Sequence, residues 1–294
     1  MTSTLSIKDL EQLSGVKAHT LRIWEQRYGI LKPQRTATNI RFYSNEDLKR
    51  ILNISLLNSH GYKISVIAKL TDAELVKEAE KFLNSFQEES VQIENLVMSL
   101  MEVNEERFEK TVNNAILHFG FENTIEKIVF PFFKKLGAMW QAGMVNPAQE
   151  HYLSNLIRQK IIVHVDKISP NITPDQKSVV LFLPSGELHE MGLLYTSFLC
   201  KARGYRVIYL GQSVPIEDIK IINDIAKPDL MISIITSKLN GIDLNAYFQL
   251  LSESAPNCQF LMSGRLMFES GESYRLPSKN FKVFEEYSDL KSLL

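Results

Sequence analysis

"LFLPSGELHEMGLLYTSFLCKARGYRVIYLGQ", residues Leu181–Gln212, decides the fold. An apolar run, Val179–Pro184, ends in a short polar turn; an amphipathic stretch follows, and then a second apolar run, Tyr205–Gly211. Two more short apolar runs, Leu230–Thr236 and Gln259–Ser263, continue the alternation. Strands separated by helix-length segments imply a doubly wound parallel sheet covered on both faces. Ligands of such sheets sit at the carboxyl ends of the strands. The turn after the first strand presents His189, with Glu187 two residues before it and Gly192 three after. On these residues alone an incidental surface histidine, a catalytic base and a metal ligand all stay open. "HEMGL" begins like a zinc-protease helix but has Leu193 where the second histidine belongs, and no G-x-G-x-x-G turn offers a dinucleotide site.

Upstream, Leu96–Ile168 is helical in pattern, with breaks at Gly120 and at "QAGMVNP". Asn146-Pro147-Ala148-Gln149 has the form of a helix start, with Asn as the cap, Pro at the first position and Gln at the third. Glu150 and His151 then lie one turn into a helix. The acidic stretch 72–95 reads as a partly helical linker.

The first 71 residues carry eleven Lys/Arg against five Asp/Glu, although the whole chain has a net charge of −1. A basic head on an acidic body points to a polyanionic partner. In the head, Ser6 is a good N-cap and Ile7, Leu10 and Leu13 recur at helical spacing. Ser14-Gly15 breaks that helix, and a second starts near Lys17 with Val16, Leu21 and Trp24 facing inward: a helix-turn-helix. "LKPQRTATNIRFYS" follows as a small hairpin, and then two more helices separate at Gly61. The expected plan is multidomain α and α/β: a winged helix-turn-helix head (1–71), the linker (72–95), a four-helix cap (96–170) and the doubly wound parallel domain (175–294).

Two cysteines, Cys200 and Cys258, far apart in apolar surroundings, suggest neither a disulfide framework nor a zinc cluster. With no signal-like N-terminus and no apolar run of about 18 residues, the expected setting is cytoplasmic, away from membranes.

"PSGELHEMG" has the E-x-H-x-x-G form, directly after a first strand, and so resembles the signature of cobalamin-binding domains, D/E-x-H-x-x-G. The resemblance implies that His189 is the lower axial ligand of cobalt and Glu187 the carboxylate on the other ring nitrogen. Neutral imidazole suits cobalt, and a carboxylate partner fixes its tautomer and raises its basicity. Gly192 would let the helix backbone approach the corrin tail. The family's S-x-L strand corresponds to Ser233-Ile234-Ile235, and its Gly-Gly pair to Ser263-Gly264, with serine for the first glycine. Trp140, nine residues and then Glu150-His151 resemble the cap of the light-sensing CarA/CarH group, in which these groups cover the upper face of the corrin and the adenosyl group. That implies adenosylcobalamin first and methylcobalamin second. The group's histidine directly after the tryptophan is here Gln141; a carboxamide is a poor cobalt ligand, which counts against a bis-histidine photoproduct.

"LRIWEQRYGILKPQRTATNIRFYSNEDLKRI" resembles the MerR family over about the first 70 residues. It implies Thr20, Arg22 and His19 at the major groove of double-stranded operator DNA, Lys17 nearby, and Arg35, Arg41 and Tyr43 at phosphates. The reading is a cobalamin-controlled transcriptional regulator, expected to repress as a dimer or tetramer, with light as one candidate signal. One alternative is a regulator whose vitamin domain is relict and serves protein contacts. A corrinoid enzyme would need a substrate barrel of about 250 residues, for which the chain has no room.

Overall fold

The computed structural model describes residues 5–36, 38–82, 89–169, 173, 176–239, 241, 243–268 and 274–294. The chain divides into two compact units, Met1–Asn155 and Leu156–Leu294.

The first unit opens with α1 (Ile7–Ser14), which starts in a reciprocal capping box between Ser6 and Asp9 and ends at Gly15 in the left-handed region, φ 72°. Such a box contributes about 1 kcal/mol. After the turn comes α2 (Ala18–Tyr28), which buries Leu21 and Trp24. The hairpin strands β1 (Gln34–Arg35) and β2 (Arg41–Phe42) pair antiparallel. Leu5 and Tyr43 exchange two backbone hydrogen bonds of 2.8 Å, tying the start of the head to the end of the wing. A second capping box, Ser44 with Asp47, begins α3 (Asn45–Ser59), and the short α4 (Ile64–Ile67) follows.

The acidic stretch read as a linker contains α5 (Asp72–Phe82) and the beginning of α6 (Glu89–Glu102). α5 packs on α3. Leu75 and Ala79 are buried, and Ala79 shares a small apolar cluster with Leu56 and Val91. α6 then packs against α7 (Glu105–Thr124). Gly120, with φ 77° and ψ 163°, breaks the helical geometry of α7 at the position where the sequence pattern is interrupted. A π-helical turn (Ile125–Val129) leads into α8 (Phe130–Gln141). The last helix, α9 (Pro147–Asp166), runs from this unit into the next. Its expected start is present: Gln149 N–H donates to Asn146 Oδ1 at 3.0 Å, and Asn146 N–H donates to Gln149 Oε1 at 3.2 Å.

In the second unit, β3 (Ser178–Pro184), α10 (Met191–Ala202), β4 (Arg206–Val214), α11 (Ile216–Ala226), β5 (Leu230–Ile234), α12 (Leu244–Ser254), β6 (Gln259–Ser263), α13 (Arg265–Phe268), β7 (Phe281–Val283) and α14 (Tyr287–Leu293) alternate. The five strands are parallel in the order β4-β3-β5-β6-β7. β3 and β5 are buried along their whole length, which is why they read as unbroken apolar runs. The chain moves outward from β3 to β4 and then crosses back to β5, so the direction of winding reverses between β3 and β5. A crevice at the carboxyl ends of those two strands is where this topology places ligands.

Candidate functional site

Glu187 and His189 stand in the turn between β3 and α10. The Glu187 side chain is almost wholly buried, at 1% exposure, whereas that of His189 is 65% exposed. His189 Nδ1 lies 2.6 Å from Glu187 Oε1, which also accepts the His189 backbone N–H at 3.0 Å. The other oxygen, Oε2, accepts the N–H groups of Thr236 and Ser237, each at 2.7 Å. Burial pushes the Glu187 carboxyl up, but the hydrogen bonds from His189, Ser237 and Thr236 outweigh it and bring the pKa to about 2. An ionised carboxylate can only accept. His189 therefore carries a proton on Nδ1, which leaves Nε2 as the ring nitrogen through which a neutral imidazole binds a metal.

The strand ends beside this turn hold the other expected residues. Ser233 is fully buried, and its Oγ has no hydrogen-bond partner. Ile235 differs from its expected place: its side chain is fully buried in the domain core, and only its backbone serves the strand end, donating to Ser263 O at 2.7 Å and accepting from Leu266 N at 3.1 Å. Gly264 has φ 116°, and a Cβ there would stand 2.2 Å from Ile235 O, so no side chain fits. Ser263 is buried. At Gly192 the close approach comes from the protein itself. A Cβ would meet Tyr287 Oη at 3.0 Å and Ile234 Cδ1 at 3.1 Å, and the Tyr287 hydroxyl donates to Gly192 O.

In the first unit, Trp140 is the last but one residue of α8 and has 59% of its surface exposed. An indole so placed forgoes roughly 2 kcal/mol that burial would supply, so it is not a core aromatic. On α9, Glu150 accepts from Ser154 Oγ and lies 2.7 Å from His151 Nδ1.

In the head, Lys17, His19, Arg22 and Arg35 are exposed, and Thr20 is half-buried. Arg41 and Tyr43 depart from the expected phosphate contacts. Arg41 Nε donates to Glu25 Oε1 at 3.0 Å and the Tyr43 hydroxyl donates to Glu25 Oε2 at 3.1 Å, so both face α2. Tyr43 is only 1% exposed, and burial together with the Glu25 charge pushes its hydroxyl up to about 12.

Residues 5–74 match the family described as MerR HTH family regulatory protein, and residues 92–163 match the B12 binding domain. The chain thus joins a MerR-like helix-turn-helix segment to a segment like the B12 binding domain, the combination of a CarA/CarH-like regulator. It is 26% identical to the HTH-type transcriptional repressor CarH of Myxococcus xanthus, over 74% of its own length and 73% of the relative. It is 28% identical to CarA of the same organism, over 72% and 69% respectively. The HTH-type transcriptional regulator MlrA of Escherichia coli matches 24% of the chain at 35% identity. Among solved structures, the monomethylamine corrinoid protein of Methanosarcina barkeri superposes with a TM-score of 0.52 and 14% identity, over 67% of this chain and 94% of that one, a likeness of fold. Of the described residues, none forms a helix long and apolar enough to cross a membrane.

The residues present fit a corrin whose cobalt takes an imidazole on two observations: the Nδ1 side of His189 is held by Glu187, and the Ser233 hydroxyl near the carboxyl end of β5 is buried without a partner. Sequence reasoning missed the groups that brace the turn. Ser213 Oγ accepts from Gly186 N at 3.0 Å, and Gln212 Nε2 donates to Leu188 O at 2.6 Å. Ser237 Oγ lies 3.2 Å from His189 Nδ1.

Proposed function

We propose that the regulator binds a cobalamin through His189 Nε2 and that this binding controls its self-association and its hold on operator DNA, in the direction of repression. The observation that carries the reading is the buried Glu187 carboxyl holding Nδ1 and the backbone N–H of an exposed histidine at the switch point of the sheet. Cobalamin, when bound, supplies a cobalt that accepts an imidazole nitrogen and an upper carbon–cobalt bond that light can break. Ser233, Ser263 and the backbone around Ile235 and Gly264 would hold the nucleotide part of the vitamin, and Trp140, Glu150 and His151 would be the residues of the helical unit that contact it. Lys17, His19, Thr20 and Arg22 read the major groove, while Arg35 serves phosphates. A ligand shifts such an equilibrium only by its differential affinity for the two states. A dimer or tetramer is the repressing form, adenosylcobalamin is the preferred vitamin, and the compartment is the cytoplasm.

The test is direct. Protein mixed with adenosylcobalamin in the dark keeps its colour through desalting, and His189→Ala loses it. Gel filtration of the holo-protein before and after illumination then shows a change of size if light is the signal. A wild-type chain that stays colourless with adenosyl-, methyl- and hydroxocobalamin sinks the reading and leaves the relict-domain alternative, which the buried Ile235 and the serine at position 263 favour.

A further inference from the structure

Beside the Glu187–His189 pair stands a second anchor. Glu190, the residue directly after His189, is largely buried, with 11% of its side chain exposed. Its Oε1 pairs with Arg158 Nε on α9, and its Oε2 accepts the Tyr209 hydroxyl of β4 at 3.2 Å. Its backbone C=O accepts Leu194 N–H at 2.8 Å in the first turn of α10. The histidine turn is thus held at both ends. Glu187 fixes the rotation of the ring, and Glu190 fixes the backbone to which the ring is attached.

We propose that Arg158 and Tyr209 are positioning residues that act through Glu190 to hold His189 at the angle an axial ligand needs. The inference deepens the cobalamin reading and rests on it. A carboxylate this buried is held inside by its partners; without them its desolvation cost favours turning outward to water. That rotation moves the main chain at the neighbouring histidine. An axial bond tolerates little of this, since groups around a metal ligand typically change metal affinity 10- to 100-fold when removed. Arg158 also lies on the same continuous helix as Glu150 and His151, two turns further along.

The experiment uses the full-length protein loaded with cob(II)alamin, whose electron paramagnetic resonance spectrum is split into triplets by one axial nitrogen. Nitrogen-15 labelling of histidine turns the triplets into doublets when the nitrogen is the protein's. Wild type shows the doublets. Arg158→Met and Tyr209→Phe bind the corrinoid and elute coloured, but the fraction with axial histidine falls, corresponding to a roughly tenfold weaker axial bond, and Arg158→Lys restores part of it. Melting of the cofactor-free variants serves as a control for general damage. Doublets of wild-type intensity in both variants overturn the inference and leave His189 as the ligand. No labelled-histidine coupling in wild type overturns the ligand reading itself.

Discussion

Glu187 Oε1 and His189 Nδ1 are 2.6 Å apart, and the carboxylate is the buried member of the pair. That asymmetry makes the pair an acid-sensitive element of the cofactor-free protein. The folded pKa of Glu187 is about 2 against an ordinary value of 4.5. A depressed carboxylate stabilises the fold fully above its unfolded pKa and loses that contribution as pH falls through the folded one. The window is therefore pH 4.5 down to about 2, and its size is about 3 kcal/mol. Urea unfolding across this range in wild type and Glu187→Gln checks it: the variant is less stable at pH 7, and its stability changes less between pH 4.5 and 2. Parallel curves would remove the carboxylate from this role.

Val103 occupies the turn between α6 and α7 with φ 51° and 53% exposure. A β-branched side chain in the left-handed region is strained by about 1–2 kcal/mol, and here it has little burial to offset that. Val103→Asn therefore raises the stability of the first unit by about 1 kcal/mol, read as a melting temperature a few degrees higher. A melting temperature that falls would mean that the valine makes a contact of greater value than the strain.

Many of the elements were legible in the sequence because their signals are local: capping residues at Ser6 and Asn146, glycine breaks at Gly15 and Gly120, and unbroken apolar runs for buried strands. The Glu187–His189 pair was legible for the same reason, since its members are two residues apart. Thr236 and Ser237, which complete the hold on Glu187, lie 49 and 50 residues further on. Only the parallel pairing of β3 with β5 brings them there, and no periodicity announces a backbone N–H as a ligand. Strand alternation correctly puts Arg41 and Tyr43 on one face, but alternation does not say what covers that face; Glu25 on α2 does. At three residues, β7 is too short to show any period.

Ser233 carries a hydroxyl in the sheet core with no partner. A buried, unsatisfied hydroxyl costs about 1–3 kcal/mol. Ser233→Ala in the cofactor-free protein is accordingly as stable as wild type or more so by about 1 kcal/mol, while cobalamin binding weakens because the tail loses a hydrogen-bonding group. The opposite signs of the two effects identify the hydroxyl as a binding group. Loss of stability with unchanged cobalamin affinity would make it structural instead.

The head offers a test that separates charge from scaffold. Arg35 is exposed in the wing, bonded to Asn39 Oδ1 at 2.7 Å, whereas Tyr43 is buried against Glu25. A phosphate contact contributes about 0.9 to the slope of log affinity against log salt. Arg35→Ala therefore lowers the slope for duplex DNA by about one and leaves the melting temperature unchanged. Tyr43→Phe does the reverse: the slope stays, and the head loses about 1.5–3 kcal/mol, the value of a hydrogen bond to a charged group. Glu25 keeps Arg41 as its remaining partner, so the wing stays docked on α2 and the DNA-facing charges keep their places. A Tyr43→Phe protein of normal stability that binds DNA with a shallower slope would show that the hydroxyl leaves Glu25 for a phosphate when DNA arrives.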